Sequence, residues 1–301
     1  MPAPPPRFGA YLLLAGSMTL VGTYVALSKP LTAAIPVFLL AFLRFAIAAV
    51  AMLPWTPGSQ GEAQLTRIEH RLLFVMSFFG NFLFSICMLY GVSMTTATAA
   101  GVIMATLPAV VALMSWLLLR ERLTPRVVLA VVLAVGGIGL LQFARGAGAG
   151  ARDTAWLGNL LMFGAVVCEA TYVIIAKRLA ATRTPLRVSA LINLWGLALI
   201  TPFGLWQLPR YDLAAVSASL WLLLLFYSLG ASLFAVWMWV AGLKHVPANQ
   251  AGVFTVALPL AATAVGVFVL DEPFTPLHAG AMLLASAGVV LITTGPHAAP
   301  A

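Results

Sequence analysis

Uncharged apolar stretches as long as a bilayer is thick recur along this chain and constrain its fold more than any other feature. Residues 72–119 contain no Asp, Glu, Lys or Arg, and neither do residues 8–28 or 213–243. A helix needs about 20 consecutive apolar residues to cross the hydrocarbon core. The first run therefore holds two spans with a tight turn at Gly91–Thr95, and the others hold one each. Read this way, the chain gives ten helices, near 8–28, 36–54, 72–90, 96–119, 126–143, 156–176, 186–206, 217–241, 248–270 and 276–294. The expectation is an all-α integral membrane protein with ten transmembrane helices and connections too short for a soluble domain. The first span exceeds the core of a signal peptide, which is about 7–15 residues, so it is read as retained.

Composition agrees. Of 301 residues, 62% are hydrophobic and 8% are charged, whereas a soluble domain is about a quarter charged. So few charges exclude a soluble enzyme, a nucleic-acid-binding module and a disordered chain. The net charge of +8 reads as a topology signal, not as a nucleic-acid partner. With the N-terminus inside, eleven Lys/Arg fall on the cytoplasmic side and four (Lys29, Arg145, Arg152, Arg210) on the other. The imbalance predicts an inner-membrane (plasma membrane) protein with both termini cytoplasmic.

The sequence also repeats itself. A shift of 151 places Gly91 on Gly242, Gly101 on Gly252, Leu107-Pro108 on Leu258-Pro259, Glu121 on Glu272 and Gly137 on Gly288. A shift of 148 places Gly16 on Gly164, Tyr24 on Tyr172, Lys29 on Lys177 and Pro54 on Pro202. Two five-helix repeats follow, residues 1–147 and 156–295, joined by a Gly/Ala-rich external linker at 148–155 and ending in a tail at 296–301. Five is odd, so the repeats are expected to be inverted. The charges fit: the turn Arg120–Arg126 is basic, and its counterpart Asp271–Pro276 has no Lys or Arg. Inverted repeats are a recurrent transporter architecture, and alternating access is the natural consequence.

The stretch Ala99-Ala100-Gly101, Leu107-Pro108, Glu121, Thr124-Pro125 and Gly136-Gly137, with its second copy Gly252, Leu258-Pro259, Asp271-Glu272 and Gly288, resembles the EamA-type branch of the drug/metabolite transporter superfamily. Arg44-Phe45 resembles that family's usual second-helix Arg, and Ile192 stands at the matching place in the second half. The resemblance covers nearly the whole chain. It implies ten helices, a central cavity and movement of small metabolites, often amino acids and often outward. Bacterial exporters of aromatic and other neutral amino acids are the nearest members implied.

A few polar residues inside the spans are candidates for the work. Arg44 lies about ten residues, or roughly 15 Å, from the end of its helix, and a central Arg costs at least about 2.5–3.5 kcal/mol to insert. It either holds a substrate carboxylate, pairs with Glu169, or binds backbone carbonyls. Glu169 carries a proton, binds a substrate amine, or neutralises Arg44. Tyr24 and Tyr172 either line a cavity and stack on an aromatic or cationic substrate, or anchor at the interface. Asn81, with Ser77 and Ser85 four residues to either side, makes a polar stripe; Asn193 is the comparable polar residue in the second half. Pro108 and Pro259, near the middle of helices 4 and 9, free a backbone carbonyl each and act as hinges, cavity walls or static kinks.

No phosphate loop, metal pair or nucleophile turn is present in the sequence, so no enzyme, cofactor, metal site or ATPase subunit is expected. The partners expected are the lipid bilayer and a small-molecule substrate, with a neutral or aromatic amino acid favoured. An exporter of cationic drugs or amines is the alternative, ahead of a channel or a non-transporting scaffold.

Overall fold

The computed structural model describes residues 7–56, 64–119, 155–179, 184–243 and 254–293 (256 excepted), together with parts of 125–140. The turn bearing Glu121, the 148–154 part of the linker, the start of the span expected at 248 and the C-terminal tail lie outside the described residues, as does most of the fifth span.

Everything regular among the described residues is helical. The helices are α1 Arg7–Ala34, α2 Val37–Met52, α3 Arg67–Ser77, α4 Phe84–Met94, α5 Ala97–Met104, α6 Leu107–Leu119, α7 Ala155–Leu179, α8 Pro185–Gln207, α9 Ala218–Leu229, α10 Ala235–Leu243, α11 Ala257–Phe268 and α12 Pro276–Thr293. A π turn, Phe78–Leu83, joins α3 to α4 without a break, and a second, Gly230–Phe234, joins α9 to α10. Six of these rods are long and apolar enough to cross a membrane: 8–34, 37–55, 67–94, 155–172, 186–210 and 218–239. A helix is the natural solution there, because a bilayer offers no water to satisfy backbone N–H and C=O groups.

Helix ends are set by local chemistry. Thr66 and Glu69 form a reciprocal capping box at the start of α3, Thr96 accepts the Ala99 amide at the start of α5, and Ser217 accepts the Leu220 amide at the start of α9. Each side-chain oxygen satisfies an amide that has no partner within the helix.

Several boundaries differ from the sequence reading. The first helix runs on through Lys29 and Pro30 to Ala34, because a bilayer-length apolar run does not stop at one charge that finds a partner. The third runs from Arg67 to Met94, so the turn after it lies at Thr95–Thr96 and not at Gly91–Thr95. The fourth is not one kinked rod: α5 stops at Met104, and α6 starts at Leu107 with Pro108 as its second residue. Pro108 has no N–H to continue a ladder, so the helix is interrupted before it. Pro259 is the third residue of α11, and most of the span expected before it, from 248 to 256, lies outside the described residues.

Helix α1 packs on α10 and α11, α7 on α4 and α6, α2 on α8, and α5 on α11. Small residues set the closest approaches. A Cβ at Gly22 would collide with the Leu258 carbonyl of α11, and one at Gly101 would sit 2.7 Å from the Ala262 methyl. Such close contact is what drives association where lipid is as apolar as the helix faces. Outward-facing apolar residues such as Phe268, Leu222 and Leu283 are largely exposed, as a lipid-facing surface requires. A groove of about 470 Å³ between α2 and α9, lined by Ala46, Ile47, Val50, Ala51, Leu225 and Leu229, belongs to that surface.

Candidate substrate site

Inside the bundle, helices from both halves bring polar groups together around Arg44. Arg44 is buried at 6% exposure on α2. Its Nη1 donates to the Ser85 hydroxyl of α4 at 2.9 Å, and its Nε, equally buried, has no partner. The guanidinium carbon lies 4.8 Å from the centre of the Phe45 ring and 5.2 Å from that of Tyr227 on α9. Tyr227 is fully buried; its hydroxyl lies beside the guanidinium, and nothing among the described residues accepts its proton. Tyr24 of α1 packs edge-on against Tyr227, with ring centres 5.7 Å apart.

Glu169 and Tyr172 reach this region from α7. Glu169 makes no ion pair with Arg44 and no hydrogen bond among the described residues, yet the two act on each other through charge. Of the roles open to Arg44 at the level of sequence, direct pairing with Glu169 is therefore not the one seen. Tyr172 lies over Gly80 in the first π turn, where a Cβ would come within 2.5 Å of its ring. It also packs with Leu73, Met76 and Ile192.

The polar stripe divides. Ser77 and Asn81 both donate to the Ile192 carbonyl of α8, at 2.6 and 2.8 Å, while Ser85 turns to Arg44. The π turn between Ser77 and Ser85 disturbs the regular four-residue spacing, so the three do not share one target. Asn193 donates to the Phe45 carbonyl at 3.1 Å and accepts from Ser232, in the second π turn, at 3.4 Å. Pro108 and Pro259 have no place in this group; Pro259 faces Gly101 instead. Two residues of the group escape sequence reading: Tyr227, whose repeat counterpart is the apolar Met76, and Ser85 as the partner of Arg44.

A second polar centre lies at one end of the bundle. The Glu272 carboxylate, between α11 and α12, accepts from Ala97 N at 2.8 Å, Thr98 N at 3.0 Å and Thr98 Oγ1 at 3.2 Å, and pairs with Lys29 Nζ of α1. The carboxylate thus caps α5, where the helix dipole favours negative charge, and ties three elements together. Burial works against its ionisation. The Lys29 ammonium and the two amides outweigh that and hold its pKa below the ordinary carboxylate range. Asp271 beside it has a positive φ of 52°. Among the described residues, no group of three His, Cys, Asp or Glu is placed to hold a metal ion.

Comparison with known proteins agrees with this architecture. The model of the EamA-like transporter family matches residues 8–143 and again 156–294. "Uncharacterized transporter YetK" of Bacillus subtilis is 36% identical over 90% of this chain and 83% of its own length. An "Uncharacterized transporter" of Archaeoglobus fulgidus is 25% identical over 95% of this chain and 98% of its own. A solved crystal structure with 21% identity shares the fold at a TM-score of 0.64, covering 93% of this chain and 95% of that one.

Proposed function

The chain belongs to the EamA-like transporter family, a family of multi-pass membrane transporters of small molecules, and from that premise we propose that it is a secondary carrier working by alternating access between two inverted five-helix repeats. The observation that carries this reading is the convergence of Arg44, Glu169, Tyr24, Tyr172 and Tyr227, from helices of both halves, on one region inside the bundle. Ionisable groups inside spans are costly and mark substrate or ion paths.

Several contacts support the inverted repeat. Residue 45 is the counterpart of residue 193 under the 148 shift, and the two meet in the Asn193–Phe45 hydrogen bond, as residues beside a two-fold axis do. The helices α2 and α8 are counterparts and pack together. The π turns at Phe78–Leu83 and Gly230–Phe234 coincide under the 151 shift. Alternating access then consists of one repeat rocking against the other around a shared site.

The substrate class we favour is the neutral or aromatic amino acid, moved outward across the inner membrane with both termini in the cytoplasm. Aromatic rings and one charge of each sign suit a zwitterion with an apolar side chain better than a sugar phosphate, which calls for several basic groups. Uptake and counterflow in proteoliposomes with labelled Phe, Trp, Leu and one cationic drug test this. Saturable exchange of Phe or Trp is the expected result; exchange of the drug alone turns the reading to amine export. The unpartnered Glu169 is the observation that favours that second reading, and also a coupled proton. Glu169→Gln is expected to flatten the pH dependence of transport, and a variant that keeps the full dependence removes Glu169 from coupling.

A further inference from the structure

The Arg44 guanidinium is half used. Its Nη1 is spent on Ser85 and its Nε is buried without a partner. A guanidinium grips a carboxylate in a bidentate manner along the edge formed by Nε and Nη2, which is the edge away from the Ser85 bond. Tyr227 adds a buried hydroxyl with its proton unspent beside that cation. The rings of Phe45 and Tyr227 hold the guanidinium in place. Buried donors left unmade are rare and costly, and two of them, the Arg44 Nε and the Tyr227 hydroxyl, beside a Ser85 hydroxyl that accepts from Nη1, describe an anion's seat around one unpaired positive charge.

We infer that Arg44, Tyr227 and Ser85 form a seat for one carboxylate, so that the carried substrate is an apolar or aromatic organic acid bearing a single carboxyl group. α-Amino acids are the members of that class whose ammonium group faces Glu169. One cation with neutral hydroxyls balances one negative charge; a phosphate dianion would be left with uncompensated charge. Tyr227 and Ser85 are thereby assigned as specificity-determining residues. The inference rests on the carrier reading above but is separable from it, because it concerns which end of the substrate is recognised.

The test uses the whole protein in detergent and in proteoliposomes, with three probes that share a phenyl ring: phenylalanine, 3-phenylpropionate and phenethylamine. Both acids are expected to bind and to drive counterflow, and the amine is not. Tyr227→Phe is the decisive variant, since it keeps the ring and removes a hydroxyl whose proton nothing among the described residues accepts. It should weaken both acids by about tenfold with an unchanged unfolding midpoint. Arg44→Lys should abolish their binding, and Ser85→Ala should weaken them by less than Tyr227→Phe does. Undiminished acid binding in Tyr227→Phe overturns the seat. Movement of phenethylamine in place of the acids overturns it too, while leaving the carrier reading standing. If only 3-phenylpropionate moves, the seat holds and the amino-acid reading falls. Binding of none of the three removes the seat, whereas the carrier reading fails only if no solute of the wider panel exchanges.

Discussion

The carboxylate at Glu272 and the guanidinium at Arg44 are both charges taken out of water, and they are treated in opposite ways. Glu272 is surrounded by partners: two amides, a hydroxyl and an ammonium. Arg44 has one hydroxyl, two rings and an idle Nε. A satisfied network holds a structure together; one left half satisfied by the protein is waiting for something else to complete it. The contrast separates a strut from the proposed binding site without reference to where either lies in the chain.

Removing Glu272 should cost most. Glu272→Ala leaves Lys29 without its counter-charge and two amides of α5 uncapped. Breaking such a pair costs about 3 kcal/mol at the lower end of the buried range, the lower end because Lys29 is 31% exposed. A lowered unfolding midpoint in detergent checks this; an unchanged one would make the network an ornament. Next comes Gly266→Ala. Its Cβ would stand 2.8 Å from Glu272 Oε2 and 2.9 Å from Thr98 Oγ1, pushing the same network apart from the other side, and about 1–3 kcal/mol of overpacking strain is expected. Additivity with Glu272→Ala would show that the two act separately; a double variant no worse than Glu272→Ala alone is expected.

Acid should reach the same network more gently. The Glu272 pKa is depressed in the folded protein, so its contribution is complete above the ordinary carboxylate pKa and is lost as pH falls through the lowered value. The gap between the unfolding midpoints of the wild type and Glu272→Gln should therefore be level from about pH 7 to about pH 5 and narrow below about pH 4. The smallest effect belongs to the other region. Tyr227→Phe should change stability by no more than about 0.5 kcal/mol, because nothing among the described residues accepts the proton of the hydroxyl it deletes. A large loss there would erase the distinction between the two regions.

Six of the ten expected spans are matched by helices of membrane-crossing length among the described residues, and they were legible because charge avoidance over about 20 residues leaves a bilayer little alternative. Arg44 and Glu169 were legible for the same reason, as exceptions within uncharged runs. Tyr227 was not: one tyrosine among leucines has no distinguishing signal, and its repeat counterpart is Met76. Lys29 and Glu272 each had one, as repeat markers, but their partnership spans 243 positions and no local pattern announces it. The end of α1 was misjudged for a related reason, since Lys29 looks like a terminus until its distant carboxylate is known. The π turns left no trace either, because a single extra residue in an apolar run changes neither composition nor charge.

Those π turns store a spare residue in the middle of a span. If one residue between 78 and 83 were deleted, the backbone ladder could close as regular α-helix with every amide still bonded. The span would stay as apolar and nearly as long, and the membrane would accept it. Because the π turn already absorbs the rotation of its extra residue, the helix on either side would keep nearly the same face, with Ser77 still toward the Ile192 carbonyl and Ser85 still on Arg44. A deletion in a regular stretch of the same span would instead turn one side by about 100° relative to the other. A single-codon loss at this point is thus silent to the machinery of insertion and mild for the wiring between the helices, whereas the same loss one turn away is costly to that wiring.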